Sequence, residues 1–257
     1  MNDLTVSLLQ MAATESDAKI NITRAREIFH NLTEMPNVLV LPELWPGSRV
    51  SRDSALSARE AVSELCAEHG IYAVAGTIPW ADERGISNRA WILDDLGRGF
   101  AFYDKTHLSS KDGEGLMFVS GNSARVFEAC GVTSTVMTSY DALFPEFHRS
   151  ISLSGAKIFF VVSRWRSDMG GIWESTLRAI AAWNQVFVAA CNQTGESASG
   201  KFFGNSMVVS PSGDILGRLG DEEGALSITL DLREIKRIRR NLSIEHDRRN
   251  DIYTILS

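Results

Sequence analysis

Thr138-Ser139-Tyr140-Asp141-Ala142-Leu143-Phe144-Pro145-Glu146 stands between two stretches of strand character. Before it, residues 133–138 alternate in a β-branched run; after it, residues 157–162 (Lys-Ile-Phe-Phe-Val-Val) form an apolar run of buried-strand length. Residues 142–153 between them are predicted helical despite Pro145. A strand, a turn, a helix and a second buried strand are the unit from which stacked α and β layers are built.

The same grammar runs outward in both directions. Towards the N-terminus, residues 4–10 and 37–41 read as buried strands, the second closed by Pro42. Asp17 opens a helix carrying Ile20, Ala25, Ile28, Phe29 and Leu32, and residues 54–69 are helical with Gly70 at the stop. Residues 71–78, 89–93 and 100–103 are predicted strands, the last two separated by a turn cluster at 94–99. Towards the C-terminus come a helix at 172–183 and a strand at 186–191. Strands at 206–210 and 215–218 flank the hairpin signal Pro211-Ser212-Gly213-Asp214, and a strand at 225–230 leads into a final helix. Without a linker, a low-complexity tract or a solenoid period, residues 1–257 read as one α/β domain around mixed sheets.

Composition narrows the function. The chain is 44% hydrophobic and 23% charged, as ordinary globular proteins are, and long enough to bury a large core without staples. A net charge of −6 argues against nucleic-acid and anionic-membrane partners, which require a basic face. The one basic cluster, from Arg233 to Arg240, alternates with Leu232, Ile235 and Ile238 and reads as the solvated face of an amphipathic helix. Cys66, Cys130 and Cys191 are odd in number, widely spaced and outside any zinc or CxxC pattern. No stretch approaches the roughly 18 to 20 apolar residues of a membrane span, and residues 1–10 lack the features of a secretory signal. A reduced, cytoplasmic, soluble protein without metal or cofactor is expected.

Three segments at predicted strand ends could carry chemistry, because loops there hold side chains on a rigid scaffold. In Leu41-Pro42-Glu43-Leu44-Trp45 a carboxylate follows an apolar strand, and burial would raise its pKa towards a general base's range. A surface glutamate at a strand end reads equally well. In Tyr103-Asp104-Lys105-Thr106-His107-Leu108 the lysine could hold a developing oxyanion, although lysines are more often simply exposed. His107 in that setting is more often a structural hydrogen bonder. Ser139 at a strand-to-helix turn could present a nucleophile beside free backbone N–H groups, but serine is also a common helix cap. Gly-x-Ser-x-Gly is absent, so a serine-hydrolase elbow is not supported.

Together the three segments resemble the nitrilase, or carbon–nitrogen hydrolase, superfamily. Its glutamate in a Pro-Glu motif corresponds to Glu43, and its lysine in Tyr-x-Lys-x-His-Leu to Lys105. Its Cys-Tyr-Asp-x-x-Phe-Pro-Glu corresponds to residues 139–146, with Ser139 at the cysteine position. Residues 75–79, 88–90, 177–185, 206–214 and 247–253 also resemble family segments, in order. The resemblance implies a four-layer α-β-β-α sandwich, a homodimer or higher homo-oligomer formed through a helical face, no cofactor, and a small amide as the partner molecule. It makes Glu43 the general base, Lys105 the oxyanion stabiliser, Ser139 the nucleophile position, and Glu114 a second glutamate with Asp112 as its rival. Substrate contacts would come from the Tyr140 backbone N–H, Trp165 and Phe118.

Serine at position 139 is a departure. A thiol, with a pKa of about 8.5, can be ionised by a nearby carboxylate and lysine, whereas a hydroxyl is a far weaker acid. Loss of such a nucleophile costs on the order of 10⁶ in turnover, so the chain is expected to be nearly inactive. None of the three cysteines can substitute by position. Retention of Glu43, Lys105 and Glu114 favours a cysteine exchanged for serine over an encoded serine. The tail and residues 177–185 resemble the aliphatic amidase and omega-amidase-like branch, pointing to a small linear amide rather than a nitrile. Residues 45–52 and 163–171 should set specificity, with Arg49, Arg164 or Arg166 available to pair a substrate carboxylate or else merely exposed. A non-catalytic amide- or protein-binding member and an acyltransferase to an amine are the rival classes.

Overall fold

The computed structural model describes residues 3–253. The N-terminal half contains β1 (Asp3–Gln10), α1 (Ala18–His30), β2 (Val38–Val40), α2 (Arg52–His69), β3 (Tyr72–Asp82), β4 (Gly85–Leu93), β5 (Gly99–Asp104) and β6 (Val126–Ala129). It continues with β7 (Val132–Thr138), α3 (Pro145–Leu153), β8 (Ile158–Ser163), α4 (Gly170–Asn184), β9 (Phe187–Asn192), β10 (Thr194–Ser197) and β11 (Gly200–Phe203). The chain closes with β12 (Met207–Val209), β13 (Ile215–Arg218), β14 (Gly224–Asp231) and α5 (Arg233–Asn241).

Two six-stranded sheets form, ordered β14-β1-β2-β3-β4-β5 and β13-β12-β9-β8-β7-β6. Strand periodicity decides how they stack, since successive side chains point to opposite faces. Ile158, Phe160 and Val162 of β8 join Leu4, Val6 and Leu8 of β1 in a core between the sheets. Phe159 and Val161 face the other way, onto Trp173, Leu177 and Ile180 of α4 and Ile151 of α3. On the opposite outer face, Leu39, Ala73 and Ala75 meet Phe29 of α1 and Val62 and Leu65 of α2. The result is helices, sheet, sheet, helices, the expected α-β-β-α sandwich.

Local chemistry accounts for the element ends. Asp17 caps α1 by accepting from Lys19 N and Ile20 N, and Gly70 ends α2 in the left-handed conformation. The helix predicted over 142–153 is instead two pieces: a 3-10 turn at Ser139–Leu143 and α3. Phe144 between them is extended because the residue before a proline is barred from the helical region, while Pro145 itself suits the first helical turn. Strand β6 and the β10–β11 hairpin lie outside the sequence expectations. β6 joins β7 through Cys130-Gly131, both at positive φ, a hairpin turn that a cysteine does not advertise.

β1, β2 and β3 are mutually parallel, as are β7, β8 and β9, and two antiparallel steps bring β5 back to the direction of β3. The residues following β2, β5, β7, β8 and β9 therefore emerge at the carboxyl ends of their strands, where α/β sheets hold ligands.

Candidate active site

Glu43, one of those residues, is buried and held from several sides. Its N–H donates to Ser163 O (3.3 Å), and Gln193 Nε2 donates to its carbonyl (2.7 Å). Around it, Leu44 N donates to Thr77 Oγ1 and Trp45 Nε1 to Ala75 O, both at 2.8 Å. Gly76 at φ +60 lets this turn pass, since a Cβ there would meet the Pro42 and Leu41 carbonyls and the Trp45 ring. The Glu43 carboxylate accepts from Lys105 Nζ (2.9 Å) and Asn88 Nδ2 (2.7 Å) on Oε1, and from the Ser139 hydroxyl on Oε2.

Lys105 is 2% exposed, contrary to the usual fate of lysine. Its Nζ donates to Glu43 and to Glu114 Oε1 (2.6 Å). Its third proton has no acceptor among the described residues and is available to a ligand. Burial disfavours the ammonium, but the charges of Glu43 and Glu114 outweigh it and hold the Lys105 pKa above its ordinary value. Burial and the charge of Glu43 push the Glu114 carboxyl up, against the pull of Lys105. Glu114 is anchored by Ser109 N (2.7 Å), whereas Asp112 binds Ser109 Oγ and Arg166 instead. Of the two acidic candidates, only Glu114 reaches the lysine.

Ser139 is 6% exposed, at φ +41. Its Oγ donates to Glu43 and accepts the backbone N–H of Arg164 at 2.9 Å, so it does not act as a helix cap. The Tyr140 N–H lies at the start of the 3-10 turn, where backbone donors lack intrahelical partners. Asp141, fully buried, holds this turn: Oδ2 accepts Thr138 N (2.9 Å) and Tyr103 Oη (2.7 Å), and Oδ1 accepts His107 N (2.9 Å) with His107 Nδ1 at 2.8 Å. His107 is thus a positioning group, stacked on Phe144 at 3.8 Å between centroids.

The other candidates are placed less centrally. Tyr140 is half-buried with its ring edge-on to Phe144, and Phe118 is buried, its N–H closing the turn onto Glu114 O (2.8 Å). The Trp165 ring packs on Trp173 in the outer core, 5.2 Å between centroids. Arg164 pairs with Glu15, Arg166 with Asp112 and Asp168, and Arg49 is exposed. Asn88 and Asp141 lie in segments that resemble the family's, whereas Gln193 and Glu15 carry no signal of a role in the sequence, because each acts through partners distant in the chain. Burial pushes the Cys66 thiol up to about 12 and Cys130 to about 11, and raises Cys191 as well, which disfavours the nucleophilic thiolate at all three. No cluster of three or more metal-ligating side chains occurs among the described residues.

The Glu43 carboxylate thus bridges a lysine and a hydroxyl-bearing turn where the ends of the two sheets meet. The family signature described as "Carbon-nitrogen hydrolase" matches residues 5–240. The chain belongs to the carbon-nitrogen hydrolase family. It is 32% identical over 256 residues to a 2-oxoglutaramate amidase of Bacillus subtilis, covering 97% of this chain and 99% of that protein. An omega-amidase of Escherichia coli is 28% identical, with 84% and 85% covered. Among solved structures, a CN-hydrolase superfamily protein of Xanthomonas campestris shares the fold at a TM-score of 0.89 and 22% identity, with both chains covered in full. An amidase from Nesterenkonia sp. superposes at 0.82 with 26% identity, covering 95% of this chain and 96% of that one. These relatives are named amidases, which supports the amidase class for this family member. No helix among the described residues is long and apolar enough to cross a membrane.

Proposed function

We propose that this carbon-nitrogen hydrolase is built to hydrolyse a small linear amide through Glu43, Lys105 and the residue at 139, and that Ser139 leaves it nearly inactive. The observation that carries the reading is the Glu43 carboxylate, which receives the Lys105 ammonium on one oxygen and the Ser139 hydroxyl on the other. With cysteine at 139, Glu43 would take the thiol proton as sulfur attacks the amide carbon. The free Lys105 proton and the Tyr140 N–H would face the oxyanion, and preorganised donors of this kind contribute heavily to rate. Collapse of the tetrahedral adduct breaks the carbon–nitrogen bond, and the proton held on Glu43 passes to the departing ammonia. Water, deprotonated by Glu43, then attacks the thioester and frees the carboxylic acid and the thiol. Glu114 keeps Lys105 aimed and balances its charge. With serine the first step stalls, because a buried carboxylate is too weak a base for a hydroxyl.

The small-linear-amide reading draws on the relatives named 2-oxoglutaramate amidase and omega-amidase. The test is ammonia release from a panel of aliphatic amides by Ser139 protein and by Ser139→Cys. Turnover with cysteine exceeding serine by several orders of magnitude is expected; silence from both, with the proteins folded, refutes the hydrolase reading in favour of a binding member. A homodimer is supported by Leu153 and Trp183, apolar and exposed on adjacent α3 and α4. Sedimentation of the Trp183→Lys variant as a monomer is the corresponding check.

A further inference from the structure

Outside the Glu43–Lys105–Ser139 group, a second cluster of charged and hydroxyl side chains surrounds Glu15, between β1 and α1. Three separate segments converge on its carboxylate. Oε1 accepts Ser197 Oγ (2.6 Å) and Ser199 Oγ (2.7 Å) from the β10–β11 hairpin and pairs with Arg164 Nη2, while Oε2 accepts Ser48 Oγ. The Glu15 carbonyl accepts Arg49 N at 2.9 Å. Burial alone would raise the carboxyl, but the three hydroxyls and Arg164 overcome it and pull its pKa to about 2.

The pair borders the reacting group. Arg164 is the residue whose backbone N–H contacts Ser139 Oγ, and its Nε lies 3.3 Å from Gln193 Oε1, whose amide in turn donates to the Glu43 carbonyl. The guanidinium lies over the Phe202 ring at 4.7 Å. With side chains 13% and 16% exposed, Arg164 and Glu15 are neither sealed in the core nor loose in solvent. An arginine so placed, planar and bidentate, is suited to grip a carboxylate at the far end of a short substrate. Glu15 already occupies that grip. Two carboxyl groups, Glu43 and Glu114, face the single ammonium of Lys105, and Glu15 engages Arg164, so the site offers an anionic tail no unmatched cation beside the reacting group. Two further rim cations are also matched, Arg166 with Asp112 and Asp168, and Lys111 with Asp168, while Arg49 points into solvent without an acidic partner among the described residues.

We propose that Glu15 sets the charge preference for the substrate's tail: by neutralising Arg164 it selects an uncharged amide over one ending in a carboxylate. This rests on the amidase reading above and deepens it. It also separates this chain from the relative named for 2-oxoglutaramate, a carboxylate-bearing amide.

The experiment measures kcat/KM for butyramide and for succinamate in Ser139→Cys protein, alone and with Glu15→Gln or Arg164→Gln added. Glu15→Gln releases Arg164, and the succinamate-to-butyramide ratio rises tenfold or more. Arg164→Gln leaves Glu15 unpaired, and the ratio falls by a similar factor. A role confined to holding the loops together lowers both substrates alike and leaves the ratio within threefold of the parent, which overturns the proposal, as does a shift of opposite sign. Because the two signs are opposite, either variant alone decides if the other does not fold. Should Ser139→Cys be silent on every amide, the hydrolase reading has failed, and the same ratio is read from the affinities of the two amides for Ser139 protein by titration calorimetry. Absence of binding by both amides overturns the charge-preference proposal as well.

Discussion

Asp141→Asn is the sharpest perturbation the structure offers, because it changes one atom in a fully buried carboxylate with four donors around it. The new amide NH₂ must replace one oxygen. On the Oδ2 side it strands the Thr138 N–H, and on the Oδ1 side it strands the His107 N–H. The hydroxyl of Tyr103 and the imidazole of His107 can each turn to accept from the amide, but a backbone N–H cannot. Whichever way the amide lies, two charge-assisted bonds are lost or replaced by weaker neutral ones, each contributing about 1.5–3 kcal/mol, so a destabilisation of about 3–6 kcal/mol follows. For a chain of this size that lowers Tm by roughly 10 °C. The turn that carries residue 139 loses its anchor to the lysine segment, and misplacement of this kind costs on the order of 10² in rate. Urea denaturation of the variant, and kcat with KM measured in the Ser139→Cys background, check both parts. A stability loss below about 1 kcal/mol with kcat unchanged would refute the reasoning that this carboxylate holds the turn.

Two further predictions concern the scaffold. Burial and then the neighbouring charge of Arg149 hold the His148 imidazole down to about 4 from an ordinary 6.5, with Asn184 Nδ2 at 3.0 Å from its Nδ1. The unfolded chain therefore binds the proton first as pH falls. The stability His148 contributes is complete above about 6.5 and is lost towards pH 4, by about 3 kcal/mol, and His148→Gln should flatten that part of the pH–stability curve measured by denaturation. Gly76→Ala would place a Cβ 2.7 Å from Trp45 Cδ1 and 2.9 Å from Leu41 O at φ +60, displacing the turn that carries Glu43. A stability loss above about 2 kcal/mol is expected by thermal unfolding, with turnover of the Ser139→Cys background falling alongside.

Much of this architecture is legible in local pattern. The unbroken apolar run of residues 158–162 in β8 already implies a strand buried on both faces, and the runs at 4–10 and 186–191 are read in the same way. Asp17 and Gly70 mark helix ends by chemistry that reaches only a few residues. The segments holding Glu43, Lys105 and Ser139 could be picked out for the same reason: each is a polar residue where an apolar strand stops. The interruption at Phe144 was equally local, but the helical periodicity of 142–153 obscured the effect of Pro145 on its neighbour.

Which partners those residues meet was decided by the fold. Glu114 and its rival Asp112 stand two positions apart, and only the turn at Ser109 aims the first at Lys105 and the second at solvent and Arg166. Arg164 reads as a free cation until Glu15, 149 positions earlier in the chain, is brought onto it. Asn88 and Gln193 become part of the site because β4 of one sheet passes beside Glu43 and β9 of the other ends beside it. Periodic burial depends on neighbours along the chain and is written in the sequence itself. A hydrogen bond across the sandwich depends on the register of every strand between its partners, which local sequence does not specify.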